Sequence, residues 1–231
     1  MTKMNLYTAI GKFKMKGSIN GMSCPLVAIG GQEYILDMQE MMLWTILNWR
    51  ILTEPEIYMF YETKIQETGV LSHRNAKECV SRLVQRGLIA KGSGDTGWDA
   101  LYNLLSELYV IPISENLFLR AASFIRLTLF SRIPYSVTKK IFSKDKRSDN
   151  EKDVMRLANQ AILSTAEIIK CVSQNVRSFA TDDELLDILY HDEYTTSDNI
   201  AYAVRDLPEC CSVITSIASL YLRKQIVFER S

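Results

Sequence analysis

Between Asp37 and Lys91 the sequence carries three helix starts, two glycine stops and then, with no loop between, a short apolar strand. A chain punctuated this way has few options: three short helices pack on one another, and the strand leaves from the end of the third. The first start is Asp37 with Glu40 three positions on, a pairing in which side chains satisfy the orphan N–H groups of the first turn. From Met38 to Trp49 nearly every position is apolar (Met41, Met42, Leu43, Trp44, Ile46, Leu47), which places this helix centrally. Thr53-Glu54-Pro55-Glu56 is the second start; Ile57, Tyr61 and Ile65 follow, and Gly69 is the stop. Ser72 is read as the third cap. Its helix has the stripe Ala76, Cys79, Val80, Leu83 and Val84, stops at Gly87, and runs into the strand Leu88-Ile89-Ala90-Lys91.

Upstream, two apolar runs flank Gly30-Gly31 within 25–36, a hairpin signal. Downstream, residues 92–97 (Gly-Ser-Gly-Asp-Thr-Gly) read as a flexible tip, and Thr96 with Asp99 starts a helix striped by Leu101, Leu104, Leu105 and Leu108. Val110-Ile111-Pro112-Ile113 is expected to return as a strand beside 88–91, and Ser114 to cap a hydrophobic helix that ends before Pro134. Residues 143–152 hold seven charges and no apolar side chain, which reads as a linker. Val154, Leu157, Ala158, Ala161, Ile162, Ile169 and Val172 then form one long amphipathic stripe. Three more helices follow, one capped by Thr181 with Glu184, and Ile226-Val-Phe-Glu229 closes the chain as a strand. One spacing recurs: Val80, Leu83, Val84, Arg86 and Ile89 match Ile217, Leu220, Tyr221, Arg223 and Ile226. Duplication of one unit and chance recurrence of a helix-then-strand pattern both account for it.

The fold class expected is therefore mainly α with small β elements. Three parts are expected: an N-terminal domain over 20–113, a helical connector and charged linker over 114–149, and a C-terminal helical domain over 150–231. Of 231 residues, 27 are basic and 27 acidic, so a non-specific polyanion binder is excluded. The charge is unevenly placed. Eight basic residues face Asp145 alone between Arg120 and Arg147, and seven acidic residues stand without Lys or Arg between Asp182 and Asp198. Surface scatter is the plainer reading of the basic stretch; pairing with the acidic one is the other. Five cysteines without metal-ligand or redox spacing, no leader-like segment and no bilayer-length apolar run lead us to expect a soluble, cytoplasmic protein with no membrane association.

Catalytic patterns are missing. His73 and His191 are the only histidines, and there is no nucleophile elbow, phosphate loop, dinucleotide fingerprint or zinc-binding His pair. No enzyme activity, cofactor or metal is expected. Cys210-Cys211 is read as packing, and His191 beside Asp192 and Glu193 as a solvated loop. Trp44, Trp49, Tyr58 and Phe60 are read as core, with an effector cavity between helices as the alternative.

Residues 72–91, Ser-His-Arg-Asn-Ala-Lys-Glu-Cys-Val-Ser-Arg-Leu-Val-Gln-Arg-Gly-Leu-Ile-Ala-Lys, resemble the recognition helix and wing strand of winged helix-turn-helix transcriptional regulators, most nearly the MarR-like kind. The likeness covers 37–97. The tip departs from that pattern in carrying only Asp95 and leading into a helix. The resemblance implies sequence-specific binding of double-stranded DNA by a bacterial regulator acting as a homodimer, with Ser72, His73, Arg74, Lys77, Ser81, Arg82, Gln85, Arg86 and Lys91 at the interface. Arg74, Arg82 and Gln85 sit opposite the apolar stripe, where such side chains address base edges, while Arg86 is confined to phosphate. The apolar stripe on 152–176 is one candidate dimer surface. The competing expectation is an interaction module or adaptor that uses a winged-helix scaffold, with a protein partner engaged through the C-terminal domain.

Overall fold

Met4–Ala9 (β1) is the strand on which the first half is assembled; it precedes every element that the sequence pattern singled out. In this computed structural model, which describes residues 3–17, 23–69, 74–113, 147–192 and 194–230, β1 is central in a sheet whose edges come later in the chain. Leu52–Thr53 (β5) pairs with it on one side, and Ile89–Gly94 (β6) on the other, from Ala9 opposite Ile89 to Met4 opposite Gly94. Met38–Leu47 (α1), Glu54–Thr68 (α2) and Ala76–Gln85 (α3) pack together against this sheet. Asp37, Thr53 and Asn75 cap them with their Glu partners three residues on, and Gly69 at φ 62 ends α2. Met42, Leu43, Trp44, Ile46 and Leu47 are buried, as an apolar helix at the centre requires.

The glycine-rich stretch is not a loop. Gly92 and Gly94 lie within β6, and Gly97–Leu105 (α4), capped by Thr96 with Asp99, packs directly on it. A Cβ on Gly92 would lie 2.2 Å from the Ala100 carbonyl oxygen, and one on Gly94 2.4 Å from the Ala100 nitrogen. These glycines serve close helix–strand approach. The strand that follows α4, Tyr109–Pro112 (β7), does not return beside 88–91. It becomes the centre of a second sheet, between Leu163–Ser164 (β8) and Ile226–Glu229 (β9).

This second sheet repeats the first. Asp149–Gln160 (α5), Thr165–Ser173 (α6) and Cys210–Leu222 (α9) take the places of α1, α2 and α3, with Asp182–Tyr190 (α7) and the short Ile200–Ala203 (α8) inserted before the last. Registers agree residue by residue: Ala9 opposite Ile89 and Thr8 opposite Ala90 correspond to Pro112 opposite Ile226 and Ile111 opposite Val227. The same number of residues separates the caps Asp37 and Thr53 as separates Ser148 and Ser164. All four sit in boxes with a Glu three positions on. After α3, Gly87 turns left-handed at φ 71 and Leu88 N–H donates back to Leu83. After α9, Lys224 does the same at φ 61, with Gln225 N–H donating to Leu220. The spacing shared by 80–89 and 217–226 thus extends over two complete β–α–β–α–α–β units.

Two expectations beyond the second strand pairing are corrected. Of the presumed linker, the described residues 148–152 are the capped first turn of α5, because Ser148 and Glu151 form a capping box. The stripe over 154–172 is broken at Ala161, where the chain turns into β8; Ile162 is 71% exposed, while Val154, Leu157, Ile168 and Ile169 pack inside their own unit. The helix expected from Ser114, and most of the basic stretch 120–147, lie outside the described residues.

A third sheet is formed by the chain between β1 and α1. Lys12–Gly17 (β2), Ser23–Ile29 (β3) and Gln32–Ile35 (β4) form it, with Gly30-Gly31 as the hairpin turn. Both units contribute to one continuous hydrophobic core. Tyr221 is where they meet: Trp49 N–H donates to its hydroxyl at 2.9 Å, the Thr8 hydroxyl lies 2.8 Å away, and burial pushes the phenol up to about 12. Gly11 N–H donates to the Phe228 carbonyl at 2.8 Å across the same junction.

Candidate nucleic-acid interface

The outer face of α3 is set by its inner one. Cys79, Val80 and Leu83 are buried, and the turn geometry then sends Lys77, Glu78, Ser81, Arg82 and Gln85 into solvent. Glu78, Ser81, Arg82, Gln85 and Arg86 line a shallow depression along this face. The helix starts at Ala76, the first residue of the apolar stripe, and so later than a cap at Ser72 implies. Asn75 is the N-cap, with Glu78 closing the box, so Arg74 stands before the helix and not in its first turn. Ser72 and His73 lie outside the described residues.

The arginines converge on α1. Glu40 is buried, with a side chain only 1% exposed; its two carboxylate oxygens lie 2.6 Å from Arg82 Nε and 2.6 Å from Arg86 Nη1. Arg74 Nη1 stands 4.0 Å from the same carboxylate, and Arg74 also pairs with Asp37. Arg86 further donates to the Ile35 carbonyl at 2.7 Å, tying the end of α3 to the edge of the β2–β3–β4 sheet. Burial alone would raise the Asp37 carboxyl. The N–H of Glu40 and the Arg74 guanidinium outweigh it and hold that carboxyl below its usual range. A buried carboxylate is tolerated only when it is paired. Oε2 accepts from Arg86 and from the Asp37 N–H, while Oε1 meets Arg82 as an ion pair without a hydrogen bond, and together these hold α3 to the start of α1. Sequence reasoning found Asp37 and Glu40 as cap residues and missed this second role; the signal was Arg82 and Arg86, one turn apart.

Of the remaining expected interface residues, Lys77, Ser81 and Gln85 are exposed and Arg82 keeps 56% of its side chain in solvent. Lys91 is exposed within β6, its ammonium 5.9 Å from the Tyr7 ring centroid. No basic hairpin tip follows β6, because the strand passes directly into α4.

The second unit repeats the fastening but not the face. Arg223, at the position of Arg86, pairs with Glu151, the capping-box glutamate of α5. Burial raises the Glu151 carboxyl, but hydrogen bonds from Arg223, the Ser148 N–H and Ser219 more than offset this and leave it lowered. The outward positions of α9 are Cys211, Ser212, Thr215, Ala218, Ser219 and Leu222, and no charged residue occurs anywhere in the helix.

Cys210 is buried and Cys211 exposed, and all five cysteines are free. Lys170 pairs with Asp192 at 2.7 Å beside His191. Among the described residues, no cluster of three or more His, Cys, Asp or Glu is arranged to hold a metal, and no helix is long and apolar enough to cross a membrane. The chain matches no protein-family model, no curated protein and no solved structure.

Proposed function

We propose that the chain is a double-stranded-DNA-binding regulator made of two tandem winged-helix units, with α3 as its reading helix. Each unit has the three helices and the sheet order of a winged helix, with one rearrangement: the central strand is supplied from before the first helix. The observation that carries the reading is the contrast between equivalent helices. On α3 the outward positions hold a cation, hydroxyl and amide able to address base edges and phosphates (Lys77, Ser81, Gln85), with Arg82 beside them. On α9 the same positions are uncharged. Fastening α3 through Glu40 gives that face the rigidity base readout requires. Reading paired half-sites requires two copies of α3, hence a homodimer.

A second reading is favoured by a specific observation. Arg74, Arg82 and Arg86 all engage acidic residues of their own unit, and the wing tip is missing; an adaptor that uses α3 to hold a protein partner needs neither free arginines nor a wing. Binding of the full chain to duplex DNA over a salt series separates the two. The DNA reading expects selection of specific duplexes from a random pool, and a logarithmic affinity that falls with the logarithm of salt concentration in proportion to the phosphates contacted. No retention on duplex DNA at low salt would overturn it in favour of the adaptor.

A further inference from the structure

Where the two units meet, a cavity of about 800 Å³ opens, with Phe13, Met41, Trp44, Trp49, Pro112 and Val227 among its walls. That volume is in the range of small-molecule sites. Its aromatic walls are held from behind. Trp44 Nε1–H donates to the Ile10 carbonyl at 3.1 Å, and the Phe13 ring lies 6.3 Å from the Trp44 ring, tilted by 31°. Trp49 Nε1–H donates to the Ile226 carbonyl at 3.3 Å. Trp49 also takes a left-handed backbone conformation, φ 56, which a bulky residue adopts only when its surroundings impose it. Here the imposing bond is from its N–H to Tyr221 of the other unit. The chain accepts local strain and keeps an indole on the cavity wall.

The polar groups define what fits. Thr45 on α1 and Asn48, the residue that ends it, border the cavity, and among the described residues neither side chain has a hydrogen-bond partner. The cation at the rim, Lys12, is answered by Glu229 at 3.6 Å. Among the described residues that line it, the site therefore offers flat apolar walls, the Thr45 hydroxyl and the Asn48 amide, and its one cation, Lys12, is paired.

We infer that this junctional cavity is a binding site for a neutral, flat, ring-bearing small molecule that hydrogen-bonds through one edge to Asn48 and Thr45, and that its occupancy is coupled to α3. The coupling runs through α1. Its residues Met41, Trp44 and Thr45, and Asn48 at its end, line the cavity, while Glu40, a neighbour of Met41, holds Arg82 and Arg86 of α3. A ligand that shifts α1 shifts the anchor of the proposed reading helix. This second part rests on the DNA-binding reading; the site itself does not.

The test uses the full chain and N-phenyl-1-naphthylamine, a neutral ring probe with one N–H. Saturable one-to-one binding is expected, with brightened probe emission and quenched tryptophan emission. Thr45 is exposed, so Thr45→Phe places a ring where the ligand edge would sit without disturbing the core, and it should weaken binding at least tenfold while leaving the melting curve unchanged. Asn48→Leu should weaken binding roughly five- to tenfold through loss of one hydrogen bond. Unsaturable binding, or parent-like binding by Thr45→Phe, overturns the site. With the probe saturating, DNA affinity should change several-fold, and by reciprocity DNA should change probe affinity by the same factor. If both ligands bind and neither affects the other, the coupling is overturned and the site stands. If DNA does not bind at all, the reading of α3 and the coupling fall together, and the probe titration still decides the site.

Discussion

The two units of this chain share a skeleton and differ in what they do with it. Both hang three helices on a sheet whose central strand comes first, both cap their first two helices with Glu boxes, and both fasten the third helix by an arginine to the first helix's capping glutamate. What varies is the outward face of the third helix: charged and hydrogen-bonding on α3, neutral on α9. The shared features are those that make the unit fold, and the differing ones are free of folding constraints. The proposed DNA-binding role rests on the differing face.

The sharpest way to break the comparison is to ask whether the units are energetically separate. Leu83 and Leu220 are equivalent and both fully buried. Each change to Ala should destabilise by about 3 kcal/mol, the transfer term plus a cavity term. Because one core runs through both units, each variant should shift the same single transition in calorimetry. If Leu220→Ala lowers one transition and leaves another in place, the units fold independently and Tyr221 is only a surface contact between them.

Next in size are the two fastenings. Arg86→Met leaves the buried Glu40 with Arg82, the more distant Arg74 and the Asp37 N–H, and Arg223→Met leaves Glu151 with Ser148 and Ser219. About 2–3 kcal/mol is expected for each, below the full loss for a stripped buried charge because partners remain. The second fastening also has a pH signature. With its carboxyl lowered from 4.5 in the folded chain, Glu151 lends stability that is complete at neutral pH. That stability is lost as pH falls below about 4.5, where the unfolded chain binds the proton more readily. Urea melts across this range should show a shallower decline for Arg223→Met than for the parent. Parallel declines would mean that the pair contributes no pH-dependent stability.

How far these features were legible depends on how local their causes are. Caps and glycine stops act within four residues, and Asp37, Thr53, Gly69, Thr96 and Thr181 stand where their patterns placed them. Asn75 was overlooked beside Ser72 although Glu78 follows at the box spacing. The Lys12-Phe-Lys-Met-Lys16 alternation of β2 was equally present and unread. Non-local features were out of reach. The partner of β7 depends on strands more than fifty residues away in sequence, and Gly92 and Gly94 look like a loop until α4 is seen lying on them. The arginines of the candidate site were assigned outward by helical periodicity. That argument cannot know that Glu40 waits beside them, buried and in need of donors.

The outward faces themselves make the third comparison. Gln85→Ala should cost about 1–3 kcal/mol on a selected duplex and relax preference at one base position, whereas Lys77→Ala should weaken all sequences alike and reduce the salt slope by about one unit. On α9, Thr215→Ala and Leu222→Ala should leave DNA affinity unchanged. Loss of DNA binding in the α9 variants with normal folding would invert the assignment of roles.

The smallest expected effect concerns the residue after each third helix. Gly87 and Lys224 occupy the same left-handed position, φ 71 and φ 61. Glycine is at ease there, and a side chain is not. Gly87→Ala should therefore destabilise by about 1 kcal/mol; nothing lies within 4 Å of the added Cβ, so backbone conformation is the whole cause. Lys224→Gly relieves the matching strain in the second unit. It also removes the ammonium that sits 5.4 Å from the Trp49 ring centroid, a contact worth about 0.5–1 kcal/mol at an exposed site. The two effects nearly cancel, and a change within about 0.5 kcal/mol of zero is expected in urea melts. Lys224→Met separates them: it keeps the strain, removes the cation, and should fall below both the parent and the glycine variant. If Lys224→Met is as stable as the parent, Lys224 holds its position by chain geometry alone, and its ammonium does nothing for Trp49.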